Sequence, residues 1–241
     1  MVQTFVSLTA QRTNFLSVGY TTAYLLCIAA FIFALICSVT VRTTFNKYNK
    51  IRSRRGVTAA EAARQILDRN GLHDVQVVCI GGSLTDNYNP RTNTVSLSDS
   101  VYHSTSLAAI GVAAHECGHA VQHSQGYIPI KLRSAVFPLA QIGSSFYFII
   151  FFLGIIFSFE PLVDIGIILF LFVVVFQLVT LPVEFNASRR AMRTIEGQGI
   201  LDREELYGAR RTLTAAAMTY VASLIVSFTQ LLRLLSYKNR R

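Results

Sequence analysis

The chain reads as a mainly α-helical integral membrane protein whose polar domain is interrupted by a transmembrane helical hairpin. Three observations predict this. Of its 241 residues, 52% are hydrophobic and 15% charged, with a mean hydropathy of +0.44, too apolar for an ordinary soluble domain. The excess is concentrated, because no charge occurs over Thr13–Val41, Ser134–Phe159 or Ile165–Val183. A spanning helix needs about 20 mostly apolar residues; the first two runs exceed that and the third just reaches it. Basic residues are also unevenly placed. Arg42, Lys47, Lys50, Arg52, Arg54 and Arg55 follow the first run and Arg189, Arg190 and Arg193 the third, while Glu160–Asp164 between the later runs has none. The positive-inside asymmetry puts the N-terminus and the Glu160–Asp164 turn outside. Residues 42–134 and those after 184 then face the cytosol from the cell (inner) membrane.

The elements follow in order. Residues 1–41 form a retained anchor, since the first run lacks a basic start and no clear small-residue cleavage site precedes the basic stretch. Thr58–Asn70 is predicted helical, with a Thr58/Glu61 capping box, an apolar face of Ala62, Ala63, Ile66 and Leu67, and Gly71 as the stop. Val75–Ile80 is rich in β-branched residues and reads as a strand closed by Gly81-Gly82. Leu84–Asn89 and Thr94–Ser98 flank the turn Pro90–Asn93 and read as a β-hairpin. Ser104 or Ser106 caps a further helix that runs to about His123. Residues 42–134 thus form the first part of a polar domain, 135–183 a hairpin of two spans, and 184–241 the second part with a C-terminal apolar helix. That last run, Thr212–Leu232, is uncharged but diluted by Thr, Ser, Gln230 and Ala. Were it to span, Lys238, Arg240 and Arg241 would lie outside, against the charge asymmetry. Three spans are therefore expected, with four as the alternative, and the C-terminal helix packs on the domain or lies along the membrane.

The net charge of +9 raises nucleic acid as a partner, but no aromatic interleaving or recognition motif accompanies it. The charge follows the spans instead, so the implied partner is the lipid bilayer, with the basic stretch after the first span suited to anionic lipid. Cys27, Cys37, Cys79 and Cys117 form no Cys-x-x-Cys pair, which argues against a disulfide framework or an all-cysteine metal site.

The motif that carries chemistry is His115-Glu116-Cys117-Gly118-His119. On a helix, residues i and i+4 share one face, so both imidazoles can bind one metal ion while the intervening Glu reaches its water. This points to zinc hydrolysis on a zincin-like domain of helices and a small β-sheet. Cys117 and Gly118 turn away from the metal face and are packing residues, Gly118 permitting close approach of another helix. Catalytic zinc takes three protein ligands and an open position, so one ligand is missing. A metzincin would place a third His six residues after His119, where Gln125 stands. His123 lies a further turn along, His103 precedes the helix, and His73 sits in a loop. A carboxylate from a separate helix is the remaining source, and Glu184 stands where the third span emerges. Spacing leaves that choice open.

His115–His119 taken with Glu184-Phe-Asn-Ala-Ser-Arg-Arg190 resembles the bacterial membrane zinc metallopeptidases of the YugP type. Asn89–Thr94, Ala108–His115 and Ala217–Ala222 resemble that family too, so the likeness covers nearly the whole chain. The group is distantly similar to the HtpX-type metalloproteases, whose third ligand is a Glu on a later helix. The resemblance implies a Zn²⁺ site of His115, His119 and Glu184 with Glu116 as general base, acting on polypeptides, membrane proteins among them. HtpX-type enzymes usually carry an Asp four residues after that Glu, where this chain has Ser188, a weaker acceptor for orienting a histidine. Tyr220, Tyr207 and Arg211 are the candidate oxyanion donors, and Thr94–Ser98 is the candidate edge for an extended substrate. Two rival readings remain. In an intramembrane protease the motif would lie inside an apolar span; here polar residues flank it. In a scaffold with structural zinc all four positions would be filled, leaving Glu116 without a purpose.

Overall fold

A computed structural model describes residues 19–238. Thr13–Val18 of the first run and the basic Arg240 and Arg241 lie outside the described residues. The elements are α1 (Tyr20–Tyr48), α2 (Ala59–Arg69), β1 (Gln76–Ile80), β2 (Asn87–Asn89), β3 (Thr94–Ser98), α3 (Asp99–Tyr102), α4 (Leu107–Ser124), α5 (Ile128–Ile156), α6 (Glu160–Gly197) and α7 (Arg203–Lys238). Four of these helices, α1, α5, α6 and α7, are long and apolar enough to cross a membrane. The C-terminal run therefore joins the three expected spans by length and composition, because its Thr, Ser and Ala dilute the apolar character without introducing charge. The α5–α6 connection is only Phe157–Phe159; Glu160 and Pro161 belong to the first turn of α6 rather than to a loop, where proline's missing N–H costs nothing.

The chain divides into two compact units. Among the described residues, one comprises 19–36, 134–178 and 221–238, the other 37–133 and 179–220. The first has a small core of Phe151, Val163, Ile167, Phe170, Leu231 and Leu234. Its helices approach closely at glycine: a Cβ on Gly143 would overlap the carbonyl of Leu169.

The second unit holds His115–His119 and Glu184. Thr58 Oγ1 accepts from Glu61 N at 3.2 Å and Glu61 Oε2 from Thr58 N at 2.8 Å, closing the predicted capping box of α2. Ala59, Ala62, Ala63, Ile66 and Leu67 are buried from that helix. The sheet has the order β1-β3-β2, with β1 parallel and β2 antiparallel to β3. Thr94–Ser98 is thus the central strand, paired on both sides, and is not an edge open to substrate. The short β2 is one edge and β1 the other, because β3 enters between them, parallel to β1 and antiparallel to β2. Val95 and Leu97 of β3 are fully buried.

Ser106 is the cap of α4, accepting from Ala109 N at 3.1 Å and donating to Asn49 Oδ1 at 2.7 Å. Its run of Ala and Gly lets neighbouring backbones close in, so α4 is buried along nearly its whole length. At Gly118 a Cβ would lie 2.8 Å from the backbone oxygen of Ala187 on α6. Gly118 thus fills the close-approach role expected of it, bringing α4 against the stretch that bears Glu184. Cys117 is buried and donates weakly to Ala63 O at 3.6 Å, a packing role that pushes its thiol pKa up through desolvation.

Candidate metal centre

His115 and His119 lie one turn apart on α4, and Glu184 faces them from α6. Among the described residues these three form one group whose ligand atoms all lie within 4.8 Å of one another. Glu184 Oε2 is 3.2 Å from His115 Nε2 and 3.7 Å from His119 Nε2. The carboxylate is 2% exposed, a position that leaves a charged group strongly unfavourable unless cations or donors surround it. Its other oxygen, Oε1, accepts from Arg133 Nη1 at 3.2 Å, which aims Oε2 at the imidazoles.

Both histidines are oriented from behind. Ser188 Oγ lies 3.1 Å from His115 Nδ1, and Gln122 Oε1 lies 3.0 Å from His119 Nδ1. The hydroxyl expected to be a weak orienter in place of Asp is therefore in contact with His115. For His119 the hydrogen-bond roles follow from a guanidinium that can only donate. Arg190 Nε donates to Asn186 Oδ1 at 2.7 Å, so that oxygen is an acceptor. Gln122 Nε2 donates to the same oxygen at 3.0 Å and to Val183 O at 2.8 Å. Gln122 Oε1 must then accept, the proton of His119 sits on Nδ1, and the Nε2 lone pair is left facing Glu184. An imidazole with Nδ1 held and Nε2 free is the arrangement of a metal ligand. The donor set of two nitrogens and one carboxylate oxygen suits zinc.

Without a metal, burial opposes a charge on His119. Glu184, Glu116 and the Gln122 hydrogen bond outweigh it and hold the pKa above the ordinary histidine range.

Glu116 is buried beside the motif histidines at 9% exposure and lines a cavity of roughly 160 Å³ with His115, Glu184, Leu84, Ser188 and Tyr220. Two larger clefts, of about 340 and 290 Å³, occur in the same unit. The smaller cavity is the candidate site because the titratable groups converge there. Leu84, at φ 58°, adopts a left-handed conformation that branched side chains disfavour, and the segment that leads into β2 is pinned by Asp86, which accepts from Ser98 N at 2.8 Å.

The remaining candidates lie elsewhere. His123 packs near Tyr88 at 6.1 Å between ring centroids, His103 against Tyr102 at 4.8 Å, and His73 pairs with Asp68 at 3.1 Å. Of the three oxyanion candidates, Tyr220 lines the cavity; Tyr207 is exposed, edge-on to Tyr48, with Arg211 over its ring. Gln122, Asn186 and Arg133 were not singled out from the sequence. The available signals were Gln122 three residues beyond His119, on the neighbouring helix face, and Arg133 as the last charge before an apolar run.

Residues 23–239 match a family model described as "Putative neutral zinc metallopeptidase". The chain is also 46% identical over 193 residues to the Bacillus subtilis (strain 168) protein named "Putative membrane protease YugP", covering 80% of this chain and 86% of that protein. No solved structure matches. With two histidines one helical turn apart, a facing buried glutamate and this extent of similarity, the chain belongs to the neutral zinc metallopeptidase family.

Proposed function

We propose that this protein is a membrane-embedded zinc-dependent endopeptidase that cuts polypeptides at the cytosolic membrane face, with His115, His119 and Glu184 as metal ligands and Glu116 as general base. The convergence of two Nε2 atoms and Glu184 Oε2, each held from behind by a hydrogen bond, carries this reading. Zinc in such a site supplies Lewis acidity, polarising a carbonyl and acidifying water. Glu116 accepts a proton from the attacking water and passes it to the leaving amide nitrogen as the C–N bond breaks. Arg133 and the two orienting side chains keep the ligand atoms fixed, so little reorganisation accompanies the reaction. Tyr220 is the donor for the developing oxyanion. An extended substrate would pair with the edge strand β2, since Leu84 and Asp86 just before it line the cavity. The polar domain, divided into residues 42–134 and 184–241 by the hairpin at 135–183, is read as zincin-like, and the basic residues flanking the spans support its cytosolic orientation.

The test is Glu116→Gln in the purified, zinc-loaded protein. Hydrolysis of a reporter polypeptide should fall by about 10²- to 10⁴-fold, the range of general-base catalysis, with zinc content unchanged. Wild-type turnover in this variant would refute the assignment. Comparative proteomics of cells carrying wild type or Glu116→Gln would then reveal which membrane or soluble proteins accumulate.

A further inference from the structure

The 290 Å³ cleft between α2, α4 and α6 holds none of the three candidate metal ligands. Three arginines line it (Arg189, Arg190 and Arg193), together with the polar side chains of Asn70, Asn186 and Thr194 and a floor that includes Gly118. No carboxylate lines it. Among the described residues neither Arg189 nor Arg193 takes part in an ion pair. These two are one helical turn apart, a spacing at which like charges repel.

Arg190 is fixed between them. Its Nε donates to Asn186 Oδ1 at 2.7 Å, its Nη1 to Gln125 Oε1 at 2.6 Å, and its guanidinium lies 5.9 Å from the centre of the Tyr127 ring. Both acceptors are neutral, and among the described residues no carboxylate pairs with Arg190. A concave site lined by three arginines, one of them already held in place, is matched to an anion with several acceptor oxygens in tetrahedral array.

We infer that this cleft binds a phosphate group, carried either by an anionic phospholipid headgroup or by a soluble phosphate. Arg189 and Arg193 supply the charge. Arg190 supplies a preorganised donor and also stands at the head of the Asn186–Gln122–His119 hydrogen-bond chain, so the bound anion contacts a residue that orients a metal ligand. The inference is independent of the peptidase reading, because it concerns binding at a separate cleft.

The experiment uses the full-length, zinc-loaded protein in a non-ionic detergent and follows thermal stabilisation during titration. The probes are inorganic phosphate, monomeric short-chain phosphatidylglycerol, and sodium chloride at matched ionic strength. A saturable rise with either phosphate probe beyond that with chloride is expected. In Arg189→Gln/Arg193→Gln the half-saturating concentration should increase by about tenfold or more, as expected when charge-assisted hydrogen bonds are lost. A response to phosphatidylglycerol alone identifies a lipid headgroup, and a response to inorganic phosphate alone a soluble ligand; both support the site. Chloride acting as well as either phosphate probe would overturn it, as would unchanged binding in the double variant with normal helicity and zinc content. If the double variant fails to fold, Asn70→Asp, which places a carboxylate at the cleft from the C-cap of α2, should abolish the response. Retained binding there would equally overturn the inference.

Discussion

Replacing Gln122 by Leu removes one amide from the candidate metal centre while keeping similar bulk. Gln122 is fully buried and joins His119 Nδ1 to Val183 O and Asn186 Oδ1. In the variant the Nδ1–H of His119 loses its acceptor in a site closed to water, which costs about 1–3 kcal/mol for an unsatisfied buried group. The imidazole can relieve this by moving the proton to Nε2, but that consumes the lone pair zinc requires. Loss of such an orienting partner typically lowers metal affinity about 10- to 100-fold, or roughly 1.4–2.8 kcal/mol, in agreement with the cost of the orphaned N–H. The assay is competition for zinc with a chromophoric chelator, alongside melting of the zinc-free protein to separate affinity from folding. Gln122→Glu sharpens the test, since a carboxylate still accepts from His119 but opposes Val183 O and Asn186 Oδ1 with oxygen in place of a donor. It too should weaken zinc. Zinc affinity within about twofold of wild type in a well-folded Gln122→Leu would refute the argument that the amide sets the tautomer.

Further outcomes follow from the same geometry. Glu184→Ala should lose most bound zinc by elemental analysis, because two neutral histidines alone make an incomplete site; undiminished zinc would remove Glu184 from the ligand set. Gly118→Ala should lower the melting temperature despite gaining about 1 kcal/mol of helix propensity. Its Cβ would meet the Ala187 carbonyl at 2.8 Å, and overpacking against backbone costs about 1–3 kcal/mol; a more stable variant would contradict that contact. Zinc uptake should weaken on acidification. In the metal-free protein the pKa of His119 is raised, so its proton stabilises the metal-free fold at low pH, and this contribution is lost as pH rises through the folded pKa. Zinc requires the neutral imidazole and competes with that proton. Below the folded pKa, apparent affinity should drop about tenfold per pH unit for each proton displaced, measured by equilibrium dialysis; a flat profile through that window would refute the competition.

Much of the local structure was legible because short-range rules govern it. The capping box at Thr58/Glu61, the β-branched run ending at Ile80 and the serine cap of α4 each depend on residues within one turn of one another. The sheet was less so. Strand Thr94–Ser98 looks like half of a hairpin, and nothing in its residues discloses that β1 returns to pair in parallel on its other side. The C-terminal run illustrates a different limit: charge asymmetry favoured three spans, whereas helix length and apolar content make α7 a fourth candidate.

By itself the sequence determined that two imidazoles share a helix face with a glutamate between them, because a spacing of four residues is a property of the helix. Glu184 was one open choice by its place at the end of the third span, and resemblance to a family selected it; it lies sixty-five residues beyond His119, a separation at which spacing has no force. Only the tertiary structure decided what surrounds these groups. Contact between α4 and α6 at Gly118 brings Gln122, Asn186 and Ser188 behind the ligand atoms, fixes which nitrogen of His119 carries the proton, and leaves Arg189 and Arg193 beside a cleft without a carboxylate, while Arg133 reaches Glu184 from the first turns of α5. Those relations depend on which helices touch and at what depth, and packing sets them.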